Sequence, residues 1–374
     1  MLTGKTRARD FPSLENRVYL NTAAEGIPPT CVGEALQNYW RDKLQGMKGR
    51  DAHFEQMENC REIAARMIYR HTSEVSFCSS SAEAYNLLAT ALELQRRDEV
   101  IVNDLDFPSG ATPWLANRCI VKIWKARDGA LLIEDLLPLL TERTRLAQIS
   151  LVSFVNGHRL DWNSFRNEVR GRASHALISA DVTQALGRIV LDCRDADCLI
   201  SSTHKWVLGI HGGCIVSIPS KRASQLTTRA GGWFHLVNAF EADRFDRAIP
   251  KQGASSFSVG MPNFAAIYAL NASLRYVNKV GIEPIARQAD PLVHQLHQGL
   301  KELGLKPMAP EQNHCSGIVA FVHSKNAAIH AALERARIHV MHHAGRIRLS
   351  LHGYNTAEDV ERFLKTMHRL LRSL

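Results

Sequence analysis

Two residues of this chain stand where their types and spacing allow covalent chemistry. Asp181 closes the apolar run HALISAD, and Lys205 follows the next such run, ADCLISST, inside the segment Ser201-Ser202-Thr203-His204-Lys205-Trp206-Val207. A lone lysine is usually a solvated surface charge. This one sits between a β-branched, strand-like run and the flexible LGIHGG, which makes it a candidate nucleophile. Strands of an open parallel sheet gather their carboxyl ends around one ligand crevice, so the amine and the carboxylate are expected to face the same space.

An amine and a carboxylate paired in this way suit pyridoxal 5′-phosphate. The amine holds the cofactor aldehyde as a Schiff base, and the carboxylate keeps the pyridine nitrogen protonated so that the ring can accept carbanion electrons. Gln184, three residues beyond Asp181, can donate to the phenolic oxygen of the ring. Ser202 and His204 flank the lysine at spacings suited to binding phosphate.

Several separated segments carry a family resemblance. ISADVTQALGRIVLD contains D-x-x-Q-x-x-G, SSTHKWVLGIHGG contains S-x-H-K followed by glycines, VYLNTAAEGIPP opens as Y-L-N-x-A-A, and GRIRLSLHGYNTAEDVERFL contains R-x-S-x-x-x-Y-N-T-x-E-D-V. In this order, from about residue 18 to residue 363, the chain resembles the class V aminotransferase family, the superfamily of cysteine desulfurases, kynureninase and isopenicillin N epimerase-like proteins. The resemblance implies the α/β fold of pyridoxal phosphate transferases of fold type I. Its large domain is a mostly parallel seven-stranded sheet between helices, and a smaller α+β domain follows at the carboxyl end.

The hydrophobic pattern agrees with that architecture. Strand-like runs recur at EVIVND, IVKIWK, RLAQISLVS, HALISAD, DCLISS and GCIVSIP, mostly separated by helical or loop segments, and the last pair lacks a helical spacer and so includes an antiparallel strand. Residues 31–70 read as helical, with Phe54, Met57, Ile63, Ala64, Met67 and Ile68 on the buried face. The pattern changes near residue 262, giving an expected division into a segment 1–30 that packs with the small domain, a large cofactor domain 31–262 and a small domain 263–374.

The remaining site residues follow from the resemblance. The serines at 79, 80 and 81 open an apolar helix, whose free N–H groups and dipole suit phosphate as well as simple capping. The family position selects Ser81 and the backbone of Ala82 as phosphate contacts, with Ala82 replacing the usual Thr. Phe107 is assigned to stacking on the pyridine ring. Phe154 stands where many relatives have an Asn that bonds the ring oxygen, which leaves Gln184 for that role. Arg348 is assigned to the substrate carboxylate by the R-x-S spacing, with Arg346 on the same face competing. Met261 lies where relatives often carry a Thr that reaches a neighbouring subunit's phosphate, and a homodimer with residues 253–263 at the contact is implied.

The family's chemistry begins at a Cα carbanion of an α-amino acid, with Lys205 as the base. Transamination, β-elimination and racemisation all diverge from that point. The leading expectation is a class V aminotransferase-type enzyme, with a carbon–sulfur β-lyase or an epimerase-like racemase as alternatives and kynureninase-like hydrolysis less favoured. A Cys-dependent cysteine desulfurase is not expected, because His342 and His343 are followed by Ala344 where a nucleophilic Cys is wanted, and no Cys follows Cys315. The weakened phosphate positions also admit a non-catalytic regulatory or scaffolding protein, against which the retained Lys205, Asp181, Gln184 and His204 argue.

Composition bounds the partners. The chain carries 46 Lys and Arg against 37 Asp and Glu, a net charge of +9, but the basic residues are spread along the length and form no nucleic-acid motif. A mildly positive surface that attracts anionic substrates is sufficient. The 8 Cys residues are scattered without paired metal-ligand spacing, so buried free thiols are expected and no metal site. The amino terminus lacks the apolar core of a signal peptide and no apolar run is long enough to span a bilayer, so a cytoplasmic location is expected, with no membrane partner.

Overall fold

The computed structural model describes residues 1–311 and 316–373. Its centre is a 7-stranded sheet with the order Val75–Cys78, Cys214–Ser217, Cys198–Ser202, Leu177–Asp181, Thr144–Ser150, Glu99–Asn103 and Ile120–Trp124. The six strand-like runs of the sequence all fall in this sheet. Only Cys214–Ser217 runs against its two neighbours, and the other pairings are parallel. Val75–Cys78 escaped the sequence reading because it is four residues long, with Ser76 interrupting its apolar character.

Helices cover both faces of the sheet, so Glu99–Asn103, Leu177–Asp181 and Cys198–Ser202 are buried throughout and read as near-continuous apolar runs rather than as alternating ones. The edge strand Ile120–Trp124 is the exception. Its Lys122 pairs at 2.6 Å with the fully buried Glu99, placing a charge on an edge that would otherwise invite pairing. The stretch expected to be helical over 31–70 is two helices, Thr30–Leu44 and Arg50–Met67, separated by a short 3-10 turn whose Gly46 has φ +59°. The helix Phe264–Val280 follows residue 262 in the chain yet packs against these two helices.

A second, three-stranded antiparallel sheet places Arg346–Ser350 between Met341–His343 and Ile318–Val322. The helices Ile282–Glu302, Asn326–Arg335 and Ala357–Ser373 lie beside it, and their apolar faces close a core with Val319, Phe321, Ile347, Leu349 and Phe363. The amino-terminal segment joins this unit: Val18–Tyr19 pairs in parallel with Ile338–His339, and Asn21 bridges to Ser350. Among the described residues no helix is long and apolar enough to cross a membrane. The seven described cysteines are free, five of them buried, and Cys315 lies outside the described residues.

The two sheets are tied together immediately beside Lys205. Trp206 is fully buried, and its indole Nε1 donates to Gln184 Oε1 at 2.6 Å. The carbonyl of Trp206 accepts from His352 Nε2 at 2.9 Å, while His352 Nδ1 accepts from the Gly353 amide at 2.7 Å. Both ring nitrogens are therefore used by the neutral imidazole, one as donor and one as acceptor. Burial pushes the pKa of His352 down to about 3, against a smaller opposing effect of the Trp206 carbonyl.

This ring makes a pH-dependent contribution to stability. Its folded pKa lies below the unfolded one, so unfolding takes up a proton between about pH 3 and pH 6.5, and the contribution is complete above that window and lost as pH falls through it. The stability gap between the wild type and a His352→Gln variant, measured by urea unfolding, is expected to shrink by about 3 kcal/mol between pH 7 and pH 4. An identical gap at both pH values would show that the fold does not hold the ring neutral.

Candidate active site

The carboxyl ends of the parallel strands deliver the chemistry. Asp181 ends its strand, Ser202 ends the next, and Ser150 ends the strand on the other side. They line a cavity of about 120 Å³ together with Ser81, Phe107, Phe154, Thr183, Gln184, His204 and Lys205. The structure thus brings Lys205, Asp181, Ser81, Phe107, Gln184, Ser202 and His204 to one cavity, while Ala82 lies exposed in the helix turn beside it.

The Asp181 carboxylate is held from two sides. Tyr85 donates to Oδ2 at 2.7 Å, and the Thr183 amide donates to Oδ1 at 2.7 Å. Tyr85 is fully buried. Burial, and then the neighbouring Asp181, pushes the phenol well above its ordinary pKa, so it stays protonated and remains a donor. Nothing in the sequence marked Tyr85, which reads as one more core residue in AEAYNLLATAL. Thr183 was missed as well, and its Oγ1 accepts from the Ser202 amide at 3.0 Å, coupling the two strand ends.

Lys205 is half-buried, and its Nζ lies 5.4 Å from the centroid of the Phe107 ring. Burial pulls its amine below the ordinary lysine value, the Asp181 charge opposes that effect, and the Arg348 charge reinforces it. The chain passes close over it: the Gly26 amide donates to the His204 carbonyl at 2.8 Å, and a Cβ on Gly26 would lie 1.9 Å from the Lys205 carbonyl oxygen. Only glycine allows that approach.

Ser80, not Ser81, caps the helix Ser81–Leu92, accepting from the Glu83 amide at 3.1 Å. Ser81 is left free to meet Ser202, whose Oγ lies 3.1 Å from its own, and the first-turn amides of Ser81 and Ala82 have no intrahelical partner. His204 stacks on His211 with ring centroids 4.1 Å apart, and burial, then Lys205 and His211, lowers its pKa to about 4. Glu25 bonds His211 at 2.9 Å, and among the described residues Glu25, His204 and His211 are the one group close enough to share a metal ion.

Gln184 is partly committed. Its Oε1 accepts from Trp206, and its Nε2 donates to the Ala23 carbonyl at 3.1 Å, leaving one amide hydrogen for a ligand. Phe107 and Phe154 meet edge to face at 5.1 Å. The Phe154 carbonyl accepts from Arg348 Nη1 at 2.7 Å, but Nε and Nη2 of Arg348, a residue only 2 % exposed, have no partner among the described residues. Burial, then the Arg346 charge, lowers the Arg348 pKa to about 10. The turn between His343 and Arg346 consists of Ala344 and Gly345 alone, both with positive φ, as a tight hairpin requires.

These features fit pyridoxal phosphate group by group. A carboxylate suits the ring nitrogen, an amine the aldehyde, an aromatic side chain the ring face, and a helix amino terminus with two serine hydroxyls the phosphate. Replacing Tyr85 by Phe removes a buried hydrogen bond to a carboxylate. It is expected to lower stability by about 1.5–3 kcal/mol in urea unfolding and to weaken cofactor retention, and unchanged values for both would mean that Tyr85 does not support Asp181.

Comparisons with known proteins extend this geometry. A family model, Aminotransferase class-V, matches residues 18–363. An uncharacterised aminotransferase, YcbU of Bacillus subtilis, is 26 % identical over 368 residues, covering 96 % of this chain and 97 % of that protein. A cysteine desulfurase of Shigella flexneri is 28 % identical over 411 residues, covering 98 % of each. Among solved structures, the cysteine desulfurase of Thermococcus onnurineus NA1 superposes with a TM-score of 0.88 at 23 % identity, covering 100 % of this chain and 99 % of its own, and the cystine C–S lyase C-DES with 0.87 at 19 %, covering 96 % and 99 %.

The exclusion of a cysteine desulfurase is thereby corrected. Proteins of that name match this chain from end to end in sequence and fold, so Ala344 after the two histidines is no ground for ruling the activity out. With the match spanning nearly its whole length, this chain belongs to the class V aminotransferase family and is a pyridoxal phosphate protein of fold type I.

Proposed function

We propose that this protein cleaves the bond between Cβ and sulfur in an amino acid of the cysteine class. The observation that carries the reading is the half-buried Lys205 amine, facing Asp181 and Phe107 at the rim of the sheet, in a chain whose full-length relatives include cysteine desulfurases. The likeness in fold to a cystine C–S lyase supports the same bond as the target.

Lys205 holds the cofactor and, once freed, takes the α-proton of the substrate. Its lowered pKa leaves more of the amine in the neutral form that a base requires. Asp181, held by Tyr85 and Thr183, would meet the ring nitrogen, and the remaining amide hydrogen of Gln184 would be offered to the ring oxygen. Ser81, the amide of Ala82, Ser202 and His204 bind phosphate, and Phe107 covers one ring face. When bound, pyridoxal phosphate supplies an electron sink that eases loss of the α-proton and departure of the β-substituent. Arg348 presents Nε and Nη2 to the α-carboxylate, fixing the bond at Cα for proton removal.

Transamination is the second reading, favoured by the relative named as an aminotransferase. Purified protein with added cofactor is expected to show a visible absorption band that Lys205→Ala abolishes, with turnover falling at least about 10²-fold. By β-elimination with one water consumed, cysteine is expected to give sulfide, pyruvate and ammonia, and cystine to give cysteine persulfide, pyruvate and ammonia; alanine is expected only with an added thiol, which takes the sulfur as its persulfide. A keto acid formed without sulfur release would transfer the assignment to transamination. No band in either protein would overturn both readings and leave a non-catalytic role.

The protein acts as a homodimer in this reading. Phe240 and Phe245 are 82 % and 89 % exposed in the single chain, and Met261 lines a cavity with Ser79 and Gly212 beside the phosphate-binding helix. Light scattering is expected to give twice the chain mass of 41.8 kDa, and a mass of one chain would refute the dimer.

A further inference from the structure

A second guanidinium stands beside Arg348, and among the described residues no anion balances it. Arg346 and Arg348 alternate with Ile347 and Leu349, so both arginines share one face of their strand while the apolar pair fills the core behind it. Arg346 is 6 % exposed, and its Nε and Nη2 are buried without a hydrogen-bond partner. Among the described residues it forms no salt bridge, and burial lowers its pKa with no described carboxylate raising it. Burying one unpaired cation is costly, and burying two side by side adds their repulsion.

The position of Arg346 relative to the cavity is set by two aromatic rings. Lys205 Nζ lies 5.4 Å from the Phe107 ring, Phe107 meets Phe154 at 5.1 Å, and the Arg346 guanidinium lies 5.4 Å from the Phe154 ring on its other contact. Phe107 and Phe154, the latter in place of the polar residue expected there, therefore form an apolar chain of contacts from the Lys205 amine to Arg346. Arg348 is anchored to Phe154 as well, through its carbonyl.

We propose that Arg346 selects substrates carrying a second negative charge: amino acids whose side chain, beyond Cβ, ends in a carboxylate or another acidic group. The α-carboxylate neutralises Arg348, and the distal acid neutralises Arg346 across the Phe154 ring. The inference builds on the assignment of Arg348 to the α-carboxylate, and with carbon–sulfur cleavage it names the substrate class as cysteine derivatives with an acidic group on or beyond sulfur. A guanidinium recognises such a group through two parallel hydrogen bonds, which a neutral amide of the same shape cannot reproduce.

The test compares isosteric pairs on the cofactor-loaded enzyme. S-Carboxymethylcysteine and its neutral amide, S-carbamoylmethylcysteine, are titrated against the visible absorption band, and glutamate against glutamine serves as a sulfur-free pair. The acidic member is expected to bind at least about tenfold more tightly in each pair, a difference the affinity scale resolves readily. Arg346→Gln is expected to remove that preference while leaving the neutral members within about twofold, and Arg346→Lys to restore part of it. Equal binding of acidic and neutral members by the wild type would overturn the proposal, as would a variant that weakens all ligands alike while its thermal midpoint is unchanged. A preserved charge preference without sulfur release would overturn only the carbon–sulfur reading.

Discussion

Everything at the site depends on how Trp206 is fixed, because Trp206 fixes Lys205. The indole N–H is bound by Gln184, the backbone carbonyl by His352, and the ring is packed so closely that a Cβ on Gly317 would lie 2.3 Å from it. Gly187, with φ +94°, approaches the carbonyl from another side, where a Cβ would lie 2.5 Å away. A lysine on a flexible stem positions its amine only as well as its backbone is held. Here the next residue is clamped by groups from both sheets. The two units are joined where the reactive amine is carried, so a shift between them would move the amine as well.

Gln184 shows the cost of that arrangement. A side-chain amide offers two donors and an acceptor with two lone pairs. Trp206 uses the oxygen and Ala23 one hydrogen, so any role toward a ligand falls to the second hydrogen alone. The constraint also gives precision, because a side chain bound at both ends cannot turn its remaining N–H away from the cavity. The same economy appears at Asp181, whose two oxygens are each met by a donor from a different element.

The residues that the sequence singled out meet in one cavity wherever chemistry and topology coincide. Asp181, Ser202 and Lys205 sit at or just beyond strand ends, and an apolar run that stops at a polar residue is visible in one dimension. Tyr85 and Thr183 were invisible because they act through space: one lies inside an apolar helix and the other in a turn, and only the packing of that helix on the sheet brings the phenol to the carboxylate. Ser80 and Ser81 were legible as a pair but not in their division of labour, which is set by which serine keeps extended backbone angles at the cap. The reading of Ala344 failed for a different reason. It treated the absence of one side chain in a turn as evidence about a reaction, whereas the whole-length likeness to desulfurases rests on the scaffold that binds and activates the substrate.

The distribution of charge carries the argument one step further. The large sheet supplies the carboxylate and the amine, while the three-stranded sheet supplies only cations, from a strand whose other face is core. Arg346 and Arg348 cannot retreat to solvent without pulling Ile347 and Leu349 out of that core, so their mutual repulsion is held in place by apolar packing. An anionic ligand at these arginines would relieve the repulsion and, by binding only the folded state, would add its binding energy to the stability of the contact between the two sheets. Recognition of such a substrate would then draw on a charge that the fold itself holds in place, on a strand other than those that carry Asp181 and Lys205.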